Sequence, residues 1–312
     1  MPRAIGRSCL LTALVLVLGS AAEGAVAVKQ ITYHGWPGAY QLSNGTVELV
    51  VVPQIGRIMR YGYVGGRNML WENPRLRGKT ADPAQAAKEW PNFGGDKLWN
   101  APQSRWNWPP DPDIDSAPQA VRVLPNNHLL LTGQSSKQFG VRFTREIALD
   151  PTGTGVTLTN RMENTADKDV EWGVWEVAQV DSPDVARLPF YDKGRNPSGY
   201  YIFKGSEPAP DRVRVEGKEV LFRRHPKRSG KIGADSPEGW IAEDKAGLRM
   251  TVSAAYEPGQ NYPDDGCGQE IWSNPDPDRY MELELLSPIR TLHPGDAMTF
   301  ETHWRLERIA GG

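Results

Sequence analysis

Val141-Arg142-Phe143-Thr144-Arg145-Glu146-Ile147-Ala148-Leu149 decides the fold. Its apolar residues fall mainly at odd positions, the period of two expected of a strand with one face buried. Met298-Thr299-Phe300-Glu301-Thr302-His303-Trp304-Arg305-Leu306 alternates in the same way, with Thr302 the one exception on the buried side. Residues 46–52, 57–63, 155–162, 248–254 and 280–286 read as further strands. Residues 171–180 are apolar on both faces, with Trp172, Val174, Ala178 and Val180 on one and Trp175 and Val177 on the other. That pattern predicts a central strand covered on both sides. Turn chemistry separates the strands at Ser43-Asn44-Gly45, Gly65-Gly66, Asp150-Pro151-Thr152-Gly153, Pro258-Gly259 and Pro294-Gly295. Only residues 82–89 read as helix, with Asp82 as N-cap and Pro83 at the first position. The expectation is an all-β fold: a large sandwich of curved antiparallel sheets with very little helix, whose concave face holds a ligand.

The chain opens with two arginines, Arg3 and Arg7, and an apolar run over residues 10–18 that is short for a membrane span. This reads as an export signal. Ser20-Ala21-Ala22 and Ala25-Val26-Ala27 both offer small residues for cleavage; the second gives a signal over 1–27 and one mature domain over 28–312. Cys9 precedes the apolar run, so it is not placed as a lipoprotein attachment site. The expected location is the periplasm, with no membrane span after cleavage. Removing residues 1–27 takes two Arg and one Glu from 36 basic and 38 acidic residues, leaving 34 against 37. That balance is no footprint for nucleic acid. The cluster Arg223-Arg224-His225-Pro226-Lys227-Arg228 reads as a solvated loop or a contact for an anionic sugar. Cys267 is the one cysteine left, which excludes an intramolecular disulfide and a cysteine-built zinc site. No cofactor is expected, and the oligomeric state is not legible.

Residues 92–111 carry the functional signal. Asn92-Phe93-Gly94-Gly95-Asp96-Lys97-Leu98-Trp99-Asn100-Ala101-Pro102-Gln103 leads on to Trp106-Asn107-Trp108-Pro109-Pro110-Asp111. Gly and Pro break the segment, so it reads as an ordered loop, and loops on rigid scaffolds often carry function. Indoles beside amides and carboxylates suit a sugar: the apolar face of a pyranose stacks on a ring while its hydroxyls bond the polar groups. Asp96, Lys97, Trp99, Gln103, Trp106 and Trp108 are therefore candidate contacts, with plugs at the end of a sandwich as the alternative. Asp111, Asp113 and Asp115 alternate along the chain, a spacing open to calcium or to turn capping; no metal site is assigned.

Tyr40-Gln41-Leu42-Ser43-Asn44-Gly45-Thr46-Val47-Glu48 through Ile58 resembles the opening of galactose mutarotase-like proteins. Residues 280–288, the Leu292-His293-Pro294-Gly295-Asp296 turn and the final Trp304 strand resemble their close. Gly94-Gly95-Asp96-Lys97-Leu98-Trp99 and Trp108-Pro109-Pro110-Asp111-Pro112 are similar to one branch, the DUF4380 domain family. The resemblance implies a β-supersandwich and a carbohydrate ligand. Mutarotases open and close the sugar ring with a Glu base near the C-terminus and a His acid. Glu282 or Glu284 matches the base, Glu282 preferred. The mutarotase His motifs are absent here; of the five His, His34 in Tyr33-His34-Gly35-Trp36 is the remaining candidate acid.

Strand alternation places Glu282 and Glu284 on one face about 7 Å apart. Two close carboxylates repel, and one then holds its proton more tightly, so acid and base arise from identical side chains. An exposed strand decorated with Glu is the alternative. Glu270, Trp272 and Asn274, in Gln269-Glu270-Ile271-Trp272-Ser273-Asn274-Pro275, form a second stacking and bonding set, or else an edge strand with a capped turn. Two functions follow: an enzyme on a sugar or oligosaccharide, epimerase-like before lyase, or a periplasmic glycan-binding protein without turnover.

Overall fold

The computed structural model describes residues 25–310. Most of the expected signal segment lies outside that range. Two antiparallel sheets pack face to face. The first runs across Ala27–Tyr33, Trp36–Ser43, Val47–Val52, Arg57–Tyr63, Asp96–Ala101, Val170–Asp181, Tyr280–Leu286, Gln269–Ser273, Gly230–Ala234 and Tyr201–Ile202, with Arg290–Leu292 added beside the start of Val170–Asp181. The second runs across Val213–Glu216, Glu219–Phe222, Val185–Pro189, Trp240–Lys245, Leu248–Ala254, Ala297–Arg308, Val156–Asn164, Val141–Leu149, Leu129–Ser135 and Ala120–Val123. Val141–Leu149 alternates buried and half-buried residues along its whole length, as its sequence demands. The main core lies between the sheets, where Ile147, Leu158, Met250 and Trp304 meet Ile58, Val174, Ala178 and Leu283.

Thr302 is fully buried because its hydroxyl has a partner there. It donates to Glu176, which also accepts from Asn160 and from Trp304 Nε1, both at 2.9 Å. Arg145 lies 3.2 Å from the same carboxylate and also pairs with Asp96. A buried charge survives in a sandwich interior only when it is paired in this way.

Val170–Asp181 sits between Asp96–Ala101 and Tyr280–Leu286 and is buried without interruption from residue 173 to 180. Covering on both sides explains its two apolar faces. Gln269–Ser273 is not an edge strand: it pairs with Tyr280–Leu286 on one side and Gly230–Ala234 on the other. The helix expected over 82–89 is the single turn Pro83–Ala86, capped by Asp82 through a bond from the Gln85 amide. Val26 and Ala27 already belong to the fold: Ala27 pairs with Ser43, and the Val26 carbonyl accepts from Asn127. Among the described residues no helix is long and apolar enough to cross a membrane.

Candidate functional site

The face of the first sheet turned away from the second carries the chemistry. Register fixes which side chains share that face. Lys97 and Trp99 stand opposite Val177 and Trp175; Gln179 stands opposite Glu282, and Val177 opposite Glu284. Trp272 pairs with Glu282, Glu270 with Glu284, and Lys231 with Trp272. Residues directly opposite one another point to the same side. Five adjacent strands, spanning about 19 Å, therefore bring three carboxylates, two ammonium groups and three indoles onto one face.

Asp96–Ala101, expected within an ordered loop, is instead an interior strand between Arg57–Tyr63 and Val170–Asp181, and the loop from 102 to 116 that follows it roofs this face. Gly94 and Gly95 turn the chain into the strand Asp96–Ala101 with positive φ, and a Cβ on Gly94 would collide with the Trp71 carbonyl, so only glycine fits. Asp111 caps the single turn Pro112–Asp115 by accepting from the Asp113 amide, and it also accepts from Ser136. Asp115 is buried and holds three donors: Trp99 Nε1 at 2.8 Å, Arg57 at 2.8 Å and Trp90 Nε1 at 3.1 Å. These aspartates are consumed by caps and ion pairs. Among the described residues no group of three or more His, Cys, Asp or Glu is placed to hold a metal ion. With its N–H anchored, Trp99 packs edge to face against Trp90, Trp106, Trp108 and Trp175, with ring centroids 5.1–6.2 Å apart.

Beneath this roof lies a cavity of about 800 Å³. Glu282, Glu284, Trp99, Gln103, Trp106, Trp108, Trp272 and Asn274, all expected from the sequence, line it. Trp108 forms the rim, 52% exposed. Lys97 lies just below the lining. Its Nζ sits 4.8 Å above the Trp99 ring and 3.3 Å from Glu282 Oε1. Gln179 donates to the same oxygen at 2.9 Å, while Oε2 of Glu282 makes no hydrogen bond or ion pair among the described residues. Glu284 repeats the pattern: Oε2 accepts from Trp175 Nε1 at 3.0 Å and from Lys231 at 2.9 Å. Glu270 is fully buried under Lys231, with Nζ 2.5 Å from its Oε2.

Burial pushes Glu284 up from the usual carboxylate range and Glu270 well above it, with Lys231 opposing in both cases. One ammonium between two buried carboxylates cannot neutralise both. Burial works against the charge of Lys231, but Glu270 and Glu284 outweigh it and hold its pKa above that of a free lysine. Burial lowers Lys97, against the pull of Glu282.

Two expected residues lie elsewhere. Asp96 alternates with Lys97, so it points between the sheets, onto Arg145, and not into the cavity. His34 bonds Glu72 at 2.7 Å and lines a separate cavity with Tyr33 and Arg77, so it is not the acid partner of Glu282. Trp90, Trp175, Lys231, Asp264 and Tyr280 also line the cavity. Alternation from Glu282 pointed to Tyr280, and the face shared by Trp175 and Val177 pointed to Trp175. Lys231, in the bland strand Gly230–Ala234, carried no signal.

A family model described as a domain of unknown function, DUF4380, matches residues 39–307. Among solved structures the chain is similar to a galactose mutarotase-like protein from Clostridium acetobutylicum, with a TM-score of 0.59 and 10% identity over 91% of this chain and 99% of that one. It is also similar to a galactose mutarotase related enzyme from Lactobacillus acidophilus, with a TM-score of 0.54 and 12% identity over 88% and 100%. A TPR-domain containing protein from Parabacteroides distasonis aligns with a TM-score of 0.57 and 13% identity over 88% of this chain, which spans about half of that protein (48%). These likenesses establish a galactose mutarotase-like fold. No curated protein matches the chain.

Proposed function

The chain belongs to the DUF4380 family, and from that footing we propose that it recognises carbohydrate in the tryptophan-lined cavity and catalyses opening and closing of an aldose ring there. The observation that carries this reading is Glu282. One of its oxygens is fixed by Lys97 and Gln179, and the other is left unengaged in a residue that lines the cavity. That is the arrangement of a base held in position with one free lone-pair edge. Glu284, pushed up by burial, is the proton donor. In ring opening Glu282 takes the proton of the anomeric hydroxyl, the bond from C1 to the ring oxygen breaks, and Glu284 protonates that oxygen. Reclosure on the other carbonyl face returns both protons and delivers the second anomer. The indoles hold the ring by its apolar faces.

Binding without turnover is the second reading, favoured by the ion pairs that already occupy one oxygen of each carboxylate. A lyase on uronates is set aside: Lys97 and Lys231 are already paired with Glu282, Glu270 and Glu284, which leaves neither free for a uronate carboxylate. We also propose export to the periplasm as one domain, with cleavage after Ala22 and not after Ala27, because Val26 and Ala27 are packed and paired. The decisive test screens purified protein on a panel of aldoses by polarimetry, with glycan-array binding in parallel. Accelerated mutarotation that disappears in Glu282→Gln supports the enzyme reading. Binding that persists with no acceleration of any aldose supports the second. Neither binding nor turnover refutes both.

A further inference from the structure

Two more cavities lie on the same face of the first sheet, one on each side of the central one. On one side, Asp181 lines a cavity of about 420 Å³ together with Trp71, His34 and Arg77. Asp181 follows Gln179 by two residues on one strand, so both side chains leave the same face, and Gln179 donates to Glu282 at the centre. On the other side, Arg195, Tyr201, Asp235 and Asp265 line a cavity of about 310 Å³. Tyr201 pairs in register with Gly233, two residues from Lys231, so it too shares the face.

Each boundary between cavities is a pair of aromatic rings with one ring on either side. Trp71 of the first outer cavity lies 4.8 Å from Tyr280 of the central one. Tyr201 of the second outer cavity lies 4.9 Å, edge to face, from Phe203 of the central one. Taken together the three cavities, each divided from the next by one ring pair, exceed the roughly 1,000 Å³ upper end of a small-molecule pocket. Rings spaced along a groove that crosses the strands offer repeated apolar platforms, and polar groups between them face the hydroxyls of successive sugars.

We infer that the three cavities are consecutive subsites of one groove, and that the ligand is a neutral oligosaccharide chain laid across the strands with its central unit over Glu282 and Glu284. This rests on the carbohydrate reading and specifies chain length within it. Lys231, in the central lining, is already paired with Glu270 and Glu284, so it is not free for the carboxylate of a uronate chain.

The test is calorimetric titration with gluco-, manno- and xylo-configured monosaccharides, trisaccharides and hexasaccharides. Parent protein is compared with Arg77→Ala and Arg195→Ala, which alter one outer cavity each at partly exposed side chains. The expected result, for the series that binds, is a hexasaccharide at least about tenfold tighter than the monosaccharide, which is about 1.4 kcal/mol. Each variant is expected to weaken the hexasaccharide severalfold and leave the monosaccharide unchanged. Equal affinity at every length, measured on the parent protein alone, overturns the inference and leaves carbohydrate recognition standing. Hexasaccharide affinity unmoved by both variants, with their melting temperatures intact, also overturns it. No binding at any length overturns the inference together with the reading beneath it.

Discussion

Replacing Asp115 by Ala removes the acceptor that organises the roof of the cavity. Asp115 is 2% exposed and its partner Arg57 is fully buried. One Arg57 nitrogen donates to Asp115 and another to the Gly94 carbonyl at the turn leading into the strand Asp96–Ala101. The variant leaves a guanidinium in the interior without a counter-charge, a loss of about 3–5 kcal/mol for a broken buried pair. Two indole N–H groups lose their acceptor as well. At about 2–4 °C per kcal/mol for a domain of this size, the melting temperature is expected to fall by about 6–20 °C. Asp115→Asn keeps an oxygen for Trp99 but still strands Arg57, so its loss is expected to be somewhat smaller. Combining it with Arg57→Met removes the unbalanced charge and is expected to recover part of the deficit, since replacing both members of a buried pair costs far less than removing one. Scanning calorimetry of the four proteins checks the series. An Asp115→Ala variant melting within about 2 °C of the parent, the range of an ordinary surface change, would refute the claim that this carboxylate holds the roof.

Trp108→Ala is expected to cost about 1–3 kcal/mol of stability, through loss of its edge-to-face contacts with Trp90 and Trp99. It is also expected to weaken glycan binding by up to about tenfold through loss of one stacking contact, at about 0.5–1.5 kcal/mol; a melting curve and a titration separate the two effects. Glu243 is fully buried with neither carboxylate oxygen hydrogen-bonded, and burial pushes its pKa well above the ordinary range. The folded state then binds a proton that the unfolded chain has released, so stability falls as pH rises from the usual carboxylate value towards the raised one. Glu243→Gln is expected to melt increasingly above the parent from pH 5 to pH 8; a constant difference across that window would contradict the assignment. Lys231→Met leaves Glu270 and Glu284 without their shared counter-ion. It is expected to be destabilised at neutral pH and partly rescued on acidification, as those carboxylates take up protons, which a pair of pH-dependent melts would read.

The architecture was legible because strand alternation is a local signal. Val141–Leu149, Leu248–Ala254 and Tyr280–Leu286 have the bounds that their patterns imply, and the two apolar faces of Val170–Asp181 announced a central strand. Much of the site was legible for the same reason: Glu282 and Glu284 project on the face that alternation assigns them. Asp96 shows the limit. Its neighbourhood in the chain suggested the cavity, but strand geometry turns it away from Lys97, and the residue that receives it, Arg145, lies on the other sheet. His34 was a choice by elimination, and the buried Glu72 that claims it had no signature of its own. Lys231 became visible only through register, because three strands must lie side by side before its ammonium can reach Glu270 and Glu284. The three aspartates after Pro110 left calcium or turn capping open in one dimension; in space Asp111 caps Pro112–Asp115 and accepts from Ser136, Asp113 accepts from the Lys137 amide, and Asp115 accepts from Trp99 and Trp90.

The central claim is that Glu282 acts as base on an aldose held against the indoles. Its most direct test is magnetization-exchange NMR on the anomeric protons of an aldose that binds, with parent protein and with Glu282→Gln at equal folded concentration. The account requires exchange between anomers faster than in buffer for the parent, and a fall of about 10²–10⁴ in that acceleration for the variant, with binding retained. Exchange in the variant as fast as in the parent would contradict it.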